Sequence, residues 1–149
     1  MIKGLNETVR NLDLITTQTI VSRDIEKLIN LARHNILNRV KNKNQDVNGK
    51  AFTPYSKAYA RKKRVSRERV DLTLSGKMFN QLKTKAISGN EGRLFFGSAR
   101  AKKLANIHNN LGVGRSKVLR EFFGLSDEDK KELIATAKTL MGYNLRRLK

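Results

Sequence analysis

The densest group of residues able to bind an anion lies between positions 57 and 69. Seven cations stand there against one acid, Glu68: Lys57, Arg61, Lys62, Lys63, Arg64, Arg67 and Arg69. Tyr55 and Tyr59 lie beside them. Guanidinium and ammonium groups bind phosphates by charge and tyrosine rings stack on bases, so the pattern favours contact with DNA or with an acidic protein surface. A long solvated basic loop explains the same residues equally well.

The excess of positive charge extends over the whole chain. Its 149 residues include 32 Lys and Arg against 13 Asp and Glu, a formal net charge of +19. An excess of this size indicates a polyanionic neighbour, either nucleic acid or an acidic protein. An anionic membrane fits less well, because no helical segment combines a basic face with a broad aromatic one. The chain lacks helix-turn-helix and zinc-finger spacings, so base-specific recognition is not predicted.

The residue types that catalysis needs do not form a pattern. The chain has two separated histidines and no cysteine, and His34 has no second ligand at metal-binding spacing. Asp127, Glu128 and Asp129 are consecutive, so on a helix their side chains diverge, and capping explains them better than a metal ion. We therefore predict a binding or structural protein that is not an enzyme, with no catalytic residue, no metal site and no cofactor.

Two amphipathic segments are predicted to form the main helices. From Ser22 onward, apolar residues recur at three- and four-residue steps, which predicts a long helix ending near Lys43. A second helix is predicted to begin at Ser126, whose hydroxyl and the carboxylate of Asp129 can cap its first turn reciprocally. Gly142 is placed to end that helix.

A hairpin is predicted between the helices. Residues 86–88 and 94–97 flank a glycine-bearing loop at 89–92, which is typical of two antiparallel strands. Helical turns are expected at 77–82 and 104–108, and Ser56 could cap another from residue 57. The sequence thus predicts helix, hairpin and helix in that order.

The predicted organisation is a single α+β domain at 20–142 with a basic loop at 57–69. Residues 1–19 are expected to form an arm or short helix, and 143–149 a basic C-terminal tail. No signal-like or long apolar segment is present, so we expect synthesis in the cytoplasm and no membrane partner.

Three large apolar residues directly precede the second predicted helix: Phe122, Phe123 and Leu125. They can pack in the core and dock that helix, or lie at a contact between subunits. The core interpretation is favoured, because buried aromatic residues beside a helix cap are commoner than interfacial ones.

Four stretches of the chain match, in order, the motifs of one known family. Residues 46–56 are similar to its Asp-x-x-Gly followed by an aromatic, a proline and a serine, and residues 72–78 resemble its Leu-x-x-Thr/Ser-Gly-x-Leu step. Residues 104–112 look like its Ala-x-x-His-x-x-Gly element, with one more residue before the glycine. Residues 120–130 resemble its Arg-Pro-Phe-Leu-Gly-Leu-Ser-Asp-Glu-Asp box.

The family is that of tailed-phage virion morphogenesis proteins of the Mu-like kind, related to neck and tail-completion proteins. In the fourth stretch this chain has Glu121 in place of the proline and Phe123 in place of the leucine. The resemblance spans about residues 46–141, and the shared order of the motifs carries more weight than any one of them.

The resemblance implies an α+β fold in which a long N-terminal helix packs on a small antiparallel sheet and a C-terminal helix closes the domain. It implies a homo-oligomeric ring in the virion, at the head–tail neck or the tail end, completing a joint through which genomic DNA passes. The expected partners are further copies of the chain and neighbouring neck, connector or tail proteins, with DNA as a possible contact. The alternative is a free nucleic-acid-binding protein without sequence specificity, which the charge alone permits.

Overall fold

The computed structural model describes residues 22–147, so the arm predicted at 1–19 lies outside the described residues. Five α-helices and two strands follow one another: α1 (Ser22–Lys41), α2 (Lys57–Lys63), α3 (Lys77–Asn80), β1 (Leu82–Ala86), β2 (Gly92–Phe96), α4 (Ala99–Asn106) and α5 (Asp127–Arg147). A π-helical turn, Ile107–Leu111, extends α4. The strands form one antiparallel two-stranded sheet. The predicted α+β class, with a helix first and a helix last, is confirmed.

The described chain divides into two compact units. Unit 1 contains residues 22–35, Lys83–Phe95 and 124–147, and unit 2 contains Ile36–Leu82 and Phe96–Phe123. The single domain at 20–142 stays a prediction.

In unit 1, α1 packs on the hairpin. Gly92 opens β2 directly against the side chains of Ile25 and Ile29, where an added Cβ would overlap Ile29 and lie 3.0 Å from Ile25 Cγ2. Because glycine has no Cβ, the strand can approach the helix this closely. The Thr84 hydroxyl donates to Asn30 Oδ1 at 2.8 Å, a further link from β1 to α1.

The C-terminal helix α5 closes unit 1 against α1. Asn35 Nδ2 donates to Glu132 Oε2 at 2.7 Å, and Asn144 Nδ2 donates to Asp24 Oδ2 at 2.7 Å. Leu133, on the same helix, is buried. Hydrogen bonds to carboxylates are among the stronger ones, so these two fix α5 along the length of α1.

The predicted end of α5 is wrong. Gly142 does not stop the helix, which continues through Arg147. A mid-helix glycine costs about 1 kcal/mol relative to alanine, a penalty that packing beyond it offsets. The bond from Asn144 to Asp24 is such an interaction, since it holds the turn after Gly142. The helix therefore takes up most of the tail predicted at 143–149.

The hairpin is confirmed, but both strands begin earlier than predicted, and β2 is Gly92–Phe96 rather than 94–97. β1 is Leu82–Ala86 rather than 86–88, and α3 ends at Asn80 rather than reaching Leu82. The loop is closed by Ile87 N donating to the Glu91 carbonyl at 2.8 Å. Only the first and last of the five residues of β1 are apolar, with Lys83, Thr84 and Lys85 between them, so the segment is too polar to be predicted as a strand from its composition.

Ser126 and Asp129 cap α5 as predicted. Asp129 N donates to Ser126 Oγ at 3.1 Å, and Ser126 N donates to Asp129 Oδ2 at 2.8 Å. These two bonds satisfy amides that the helix itself leaves without acceptors.

Removing the capping hydroxyl is expected to destabilise the protein. We expect Ser126→Ala to lower the free energy of unfolding by about 1 kcal/mol, because the Asp129 amide loses its acceptor. Urea denaturation followed by circular dichroism measures this change. Ser126→Asp is the control, since a carboxylate accepts the same bond, and an equal loss in both variants would contradict the capping role.

The core of unit 2 is a cluster of aromatic rings. Phe122 is fully buried, with Phe79 packed edge-on at a centroid distance of 5.5 Å and Phe96 at 6.3 Å. Phe123 lies 5.1 Å from Phe96 and is 7% exposed. Arg39 donates to the Phe122 carbonyl at 3.0 Å. The phenylalanines are therefore core residues of unit 2, as the favoured interpretation expects.

Leu125, the third of these apolar residues, belongs to unit 1. It is 7% exposed and directly precedes the cap of α5. Its burial is likewise what the core interpretation expects.

Candidate functional site

The first half of the predicted basic loop is helical. Tyr59 N donates to Ser56 Oγ at 3.2 Å, which starts α2 as the sequence suggested. Arg64 ends the helix in a left-handed conformation with φ 59°. The segment at 57–69 is thus irregular only after Lys63, and the cations at 57, 61 and 62 project from a helical backbone.

Lys63 points into unit 2 instead of toward solvent. Its ammonium forms an ion pair with Asp71, donates to Tyr55 Oη at 3.2 Å and lies 4.8 Å from the centre of the Tyr55 ring. Burial alone would lower the pKa of Lys63, but the hydrogen bonds to Asp71 and Tyr55 outweigh it and raise that pKa. Lys63 is therefore a structural cation that holds α2 to the segment after it.

Tyr55 organises this region. It is 5% exposed, and its hydroxyl accepts from Leu72 N at 3.1 Å. Arg67 Nε donates to the Tyr55 carbonyl at 2.9 Å, and the Tyr55 amide donates to the Arg67 carbonyl at 2.9 Å. Burial raises the pKa of the Tyr55 phenol. Of the two tyrosines considered for stacking on bases, Tyr55 is thus a packing residue.

The seven predicted contact residues therefore divide into two groups. Lys63 and Arg67 are used inside unit 2. Arg67 is nonetheless exposed, and so are the other five: Lys57, Arg61, Lys62, Arg64 and Arg69. Sequence reasoning did not separate the groups, because Asp71, the partner of Lys63, carries no signal of its own.

Arg120 is a buried cation on the other side of Tyr55. It is 6% exposed, and its guanidinium carbon lies 5.4 Å from the centre of the Tyr55 ring. It donates to the carbonyls of Thr53 at 3.0 Å and Pro54 at 3.5 Å, while its Nε has no hydrogen-bond partner. Burial lowers the pKa of Arg120. These acceptors are neutral, so they satisfy hydrogen bonds without balancing the charge.

His108 lies next to Arg120. The His108 carbonyl accepts from Arg120 N at 2.8 Å, and the ring Nδ1 is buried without a hydrogen-bond partner. Burial, and then the charge of Arg120, lower the pKa of His108 to about 4. The ring is thus neutral in the folded protein at neutral pH.

This pKa predicts a pH-dependent stability. Between about pH 6.5 and pH 4 the unfolded chain protonates this histidine and the folded chain does not, so the free energy of unfolding falls as pH falls. Relative to His108→Gln, the wild type should lose about 1 to 2 kcal/mol over that window, after allowance for partial exposure. Urea denaturation at successive pH values measures it. His34→Gln, at an exposed position of α1, is the control, and equal pH profiles for wild type and His108→Gln would contradict the prediction.

Arg120 and His108 line a groove of about 890 Å³ in unit 2. Its lining includes five cations: Arg67, Lys77, Arg100, Arg115 and Arg120. Each comes from a different part of unit 2. In chain order these parts are the segment that follows α2, helix α3, helix α4, the turn that follows the π-helical segment, and the chain before α5. None of the described residues that line it is acidic. The groove is therefore a cationic concave surface, suited to a ligand that carries negative charge.

The sequence pattern did not reveal this groove. Lys77, Arg100 and Arg115 lie outside the predicted basic cluster, in a chain with 32 Lys and Arg, and each comes from a different segment. Only Arg67 belongs to both the predicted basic cluster and the groove.

Comparisons with known proteins show no relative of this chain: no family model, no curated protein and no solved structure matches it. Among residues 22–147, no group of three or more His, Asp or Glu side chains could hold a metal ion. No helix in that part of the chain has the length and apolarity to cross a membrane.

Proposed function

We propose that this chain is a structural, non-enzymatic protein of a tailed-phage virion. In this proposal it forms a homo-oligomeric ring at the head–tail neck or the tail end, and completes the joint through which genomic DNA passes. Its neighbours are neck, connector or tail proteins. Ring symmetry would turn each weak contact with those neighbours into many.

The observation that carries the proposal is a set of contacts in unit 2 that links the first three stretches resembling the phage family with residues 120–123 of the fourth. The first stretch contacts the fourth: Val47 N donates to the Glu121 carbonyl at 2.8 Å. The second contacts the first, where Leu72 N donates to Tyr55 Oη. The third contacts the fourth through Asn109 Oδ1, which accepts from Phe123 N at 2.9 Å. Motifs that contact one another in the folded chain support a common origin better than motifs that match in order alone.

Genetic complementation in the phage that carries this gene tests the proposal. A phage with the gene deleted should produce heads and tails that fail to join, visible by electron microscopy. The gene supplied from a plasmid should restore joined particles, and antibody label should mark the neck or tail end. Normal joined particles from the deletion phage would contradict the proposal.

The second candidate is a free nucleic-acid-binding protein without sequence specificity. The net charge of +19 and the six exposed cations at 57–69 favour it. It predicts tight binding to duplex DNA by the chain in solution, with a steep loss of affinity as salt rises.

Charge-matched variants test this second candidate. Changing Lys57, Arg61, Lys62 and Arg69 to Ala should reduce the slope of log affinity against log salt by about 3 to 4, since each lost phosphate contact removes about 0.9. The control changes four exposed lysines of unit 1 to Ala, Lys83, Lys85, Lys131 and Lys138. Equal slopes in the two variants would mean that charge alone attracts DNA and that the basic segment is not the site.

A further inference from the structure

Five cations and none of the described acidic residues line the groove in unit 2, and one of those cations, Arg120, is buried. Arg120 lines it at 6% exposure, and its hydrogen bonds go to neutral carbonyls. A buried charge without an opposite charge nearby is costly, and an anion supplied from outside would offset that cost. Arg100 and Arg115 are exposed at the groove. The groove is therefore suited to a ligand with several negative groups.

The same groove has a large apolar lining. Eight of its residues are apolar: Pro54, Leu72, Leu74, Met78, Phe79, Leu104, Val113 and Val118. Leu74 is 60% exposed and Leu104 is 38% exposed, so part of this apolar surface faces solvent. Exposed apolar surface beside a concave site gains free energy when apolar groups of a ligand cover it. The ligand should thus carry apolar groups as well as negative charge.

We propose that this groove binds an extended peptide segment of a partner protein, in which Asp or Glu residues alternate with large apolar residues. The carboxylates meet Lys77, Arg100 and Arg115, and the apolar side chains cover Leu74 and Leu104. The proposal rests on the function proposed above only for the source of the peptide, a neighbouring virion protein. The binding itself needs only the groove.

The rings around the groove favour a peptide over nucleic acid. Single-stranded nucleic acid binds through aromatic faces that are open for base stacking. The Tyr55 ring is not open: Lys63 lies 4.8 Å from its centre, Arg120 lies 5.4 Å from it, and the Tyr59 ring packs against it at 4.8 Å. Tyr59 also lines the groove, but its ring packs on that of Tyr55, and the large apolar residues exposed in the groove are Leu74 and Leu104.

Fluorescence anisotropy with the full chain and three labelled probes of equal charge tests the proposal. The probes are a peptide of alternating Glu and Leu, one of alternating Glu and Ser, and an oligothymidylate. At near-physiological salt the Glu-Leu peptide should bind at least about tenfold more tightly than the Glu-Ser peptide. Equal affinity for the two peptides, or no binding, would overturn the proposal. An oligothymidylate that binds most tightly and displaces the Glu-Leu peptide would assign the groove to nucleic acid.

Two pairs of variants locate the binding. Leu74→Ser should lower the affinity for the Glu-Leu peptide about tenfold. Ile87→Ser, at a residue 42% exposed on the hairpin of unit 1, should leave that affinity unchanged. Changing Arg100 and Arg115 together to Ala should lower the affinity for both peptides about tenfold. Changing Lys83 and Lys85 together to Ala is the control and should not lower it to this extent. Equal effects within either pair would overturn the assignment to the groove. Circular dichroism checks that each variant folds.

The outcomes separate this proposal from the function proposed above. If the protein binds the Glu-Leu peptide specifically but its deletion leaves normal phage particles, the peptide-binding proposal stands and the proposed virion function is wrong. If the deletion phage gives unjoined particles but the protein does not bind the peptide, the proposed virion function stands and the peptide-binding proposal is wrong.

Discussion

Replacing Phe122 by alanine is expected to lower the free energy of unfolding by about 3 to 5 kcal/mol. The side chain is fully buried, and its ring packs against those of Phe79, Phe96 and Phe123 at centroid distances of 5.5 to 6.3 Å. Alanine would leave a cavity among three large rings, which cannot all move to fill it. The loss should therefore exceed the transfer free energy of the ring alone.

Urea denaturation measures the effect of Phe122→Ala, with Phe95→Ala as the matched control. Phe95 is the same residue type at 40% exposure, so its replacement should cost about 1 kcal/mol or less. Phe122→Leu retains most of the apolar volume and should fall between the two. Similar losses for Phe122→Ala and Phe95→Ala would mean that Phe122 is not the centre of the unit 2 core.

Replacing Gly112 by alanine is expected to destabilise unit 2 by about 2 to 4 kcal/mol, from two combined costs. Gly112 has φ +82°, a conformation that residues with a Cβ rarely adopt. An added Cβ would also overlap the backbone carbonyl of Lys117. A backbone group cannot rotate away as a side chain can, so the turn between Val113 and Val118, which pair as an antiparallel bridge, must shift.

Gly114→Ala is the control for the conformational cost alone. Gly114 has φ +73° in the same turn, but no atom lies within 4 Å of the position that its Cβ would take. This variant should lose only about 1 kcal/mol, so the difference between the two measures the overlap with Lys117. Urea denaturation of both variants decides the point, and equal losses would contradict it. Val113 and Val118, which this turn connects, line the groove. Gly112→Ala should therefore also lower the affinity for the Glu-Leu peptide more than Gly114→Ala does.

The parts of the fold that local chemistry determines were predictable from the sequence. The bounds of α1 follow from apolar spacing, and the Ser126–Asp129 cap follows from two residues three positions apart. The position of β1 was not predictable, because three of its five residues are Lys or Ala, which are depleted in strands, and only Leu82 and Ala86 are apolar. The end of α5 also depends on a distant partner, since Asn144 bonds to Asp24, 120 residues earlier in the chain.

The candidate site was predictable only in its charge. The basic segment at 57–69 stands out in the sequence, but the direction of each side chain depends on residues outside it. Lys63 points inward because Asp71 lies within reach, and Arg120 is buried because the carbonyls of Thr53 and Pro54 accept its bonds. The groove joins segments more than fifty residues apart, a proximity that spacing along the chain does not encode.

The bonds of the Tyr55 hydroxyl have a consequence for the exposed cations at 57–69. The hydroxyl accepts from Leu72 N, so the phenol closes the base of a loop that contains the whole segment. A loop with fixed ends has fewer conformations to lose when it meets a polyanion, and the lost entropy is a main cost of binding. Cations such as Lys57, Arg61 and Arg69 are thereby presented from a constrained loop. We expect Tyr55→Phe, which retains the ring but not the hydroxyl, to weaken DNA or acidic-partner binding without removing a single charge.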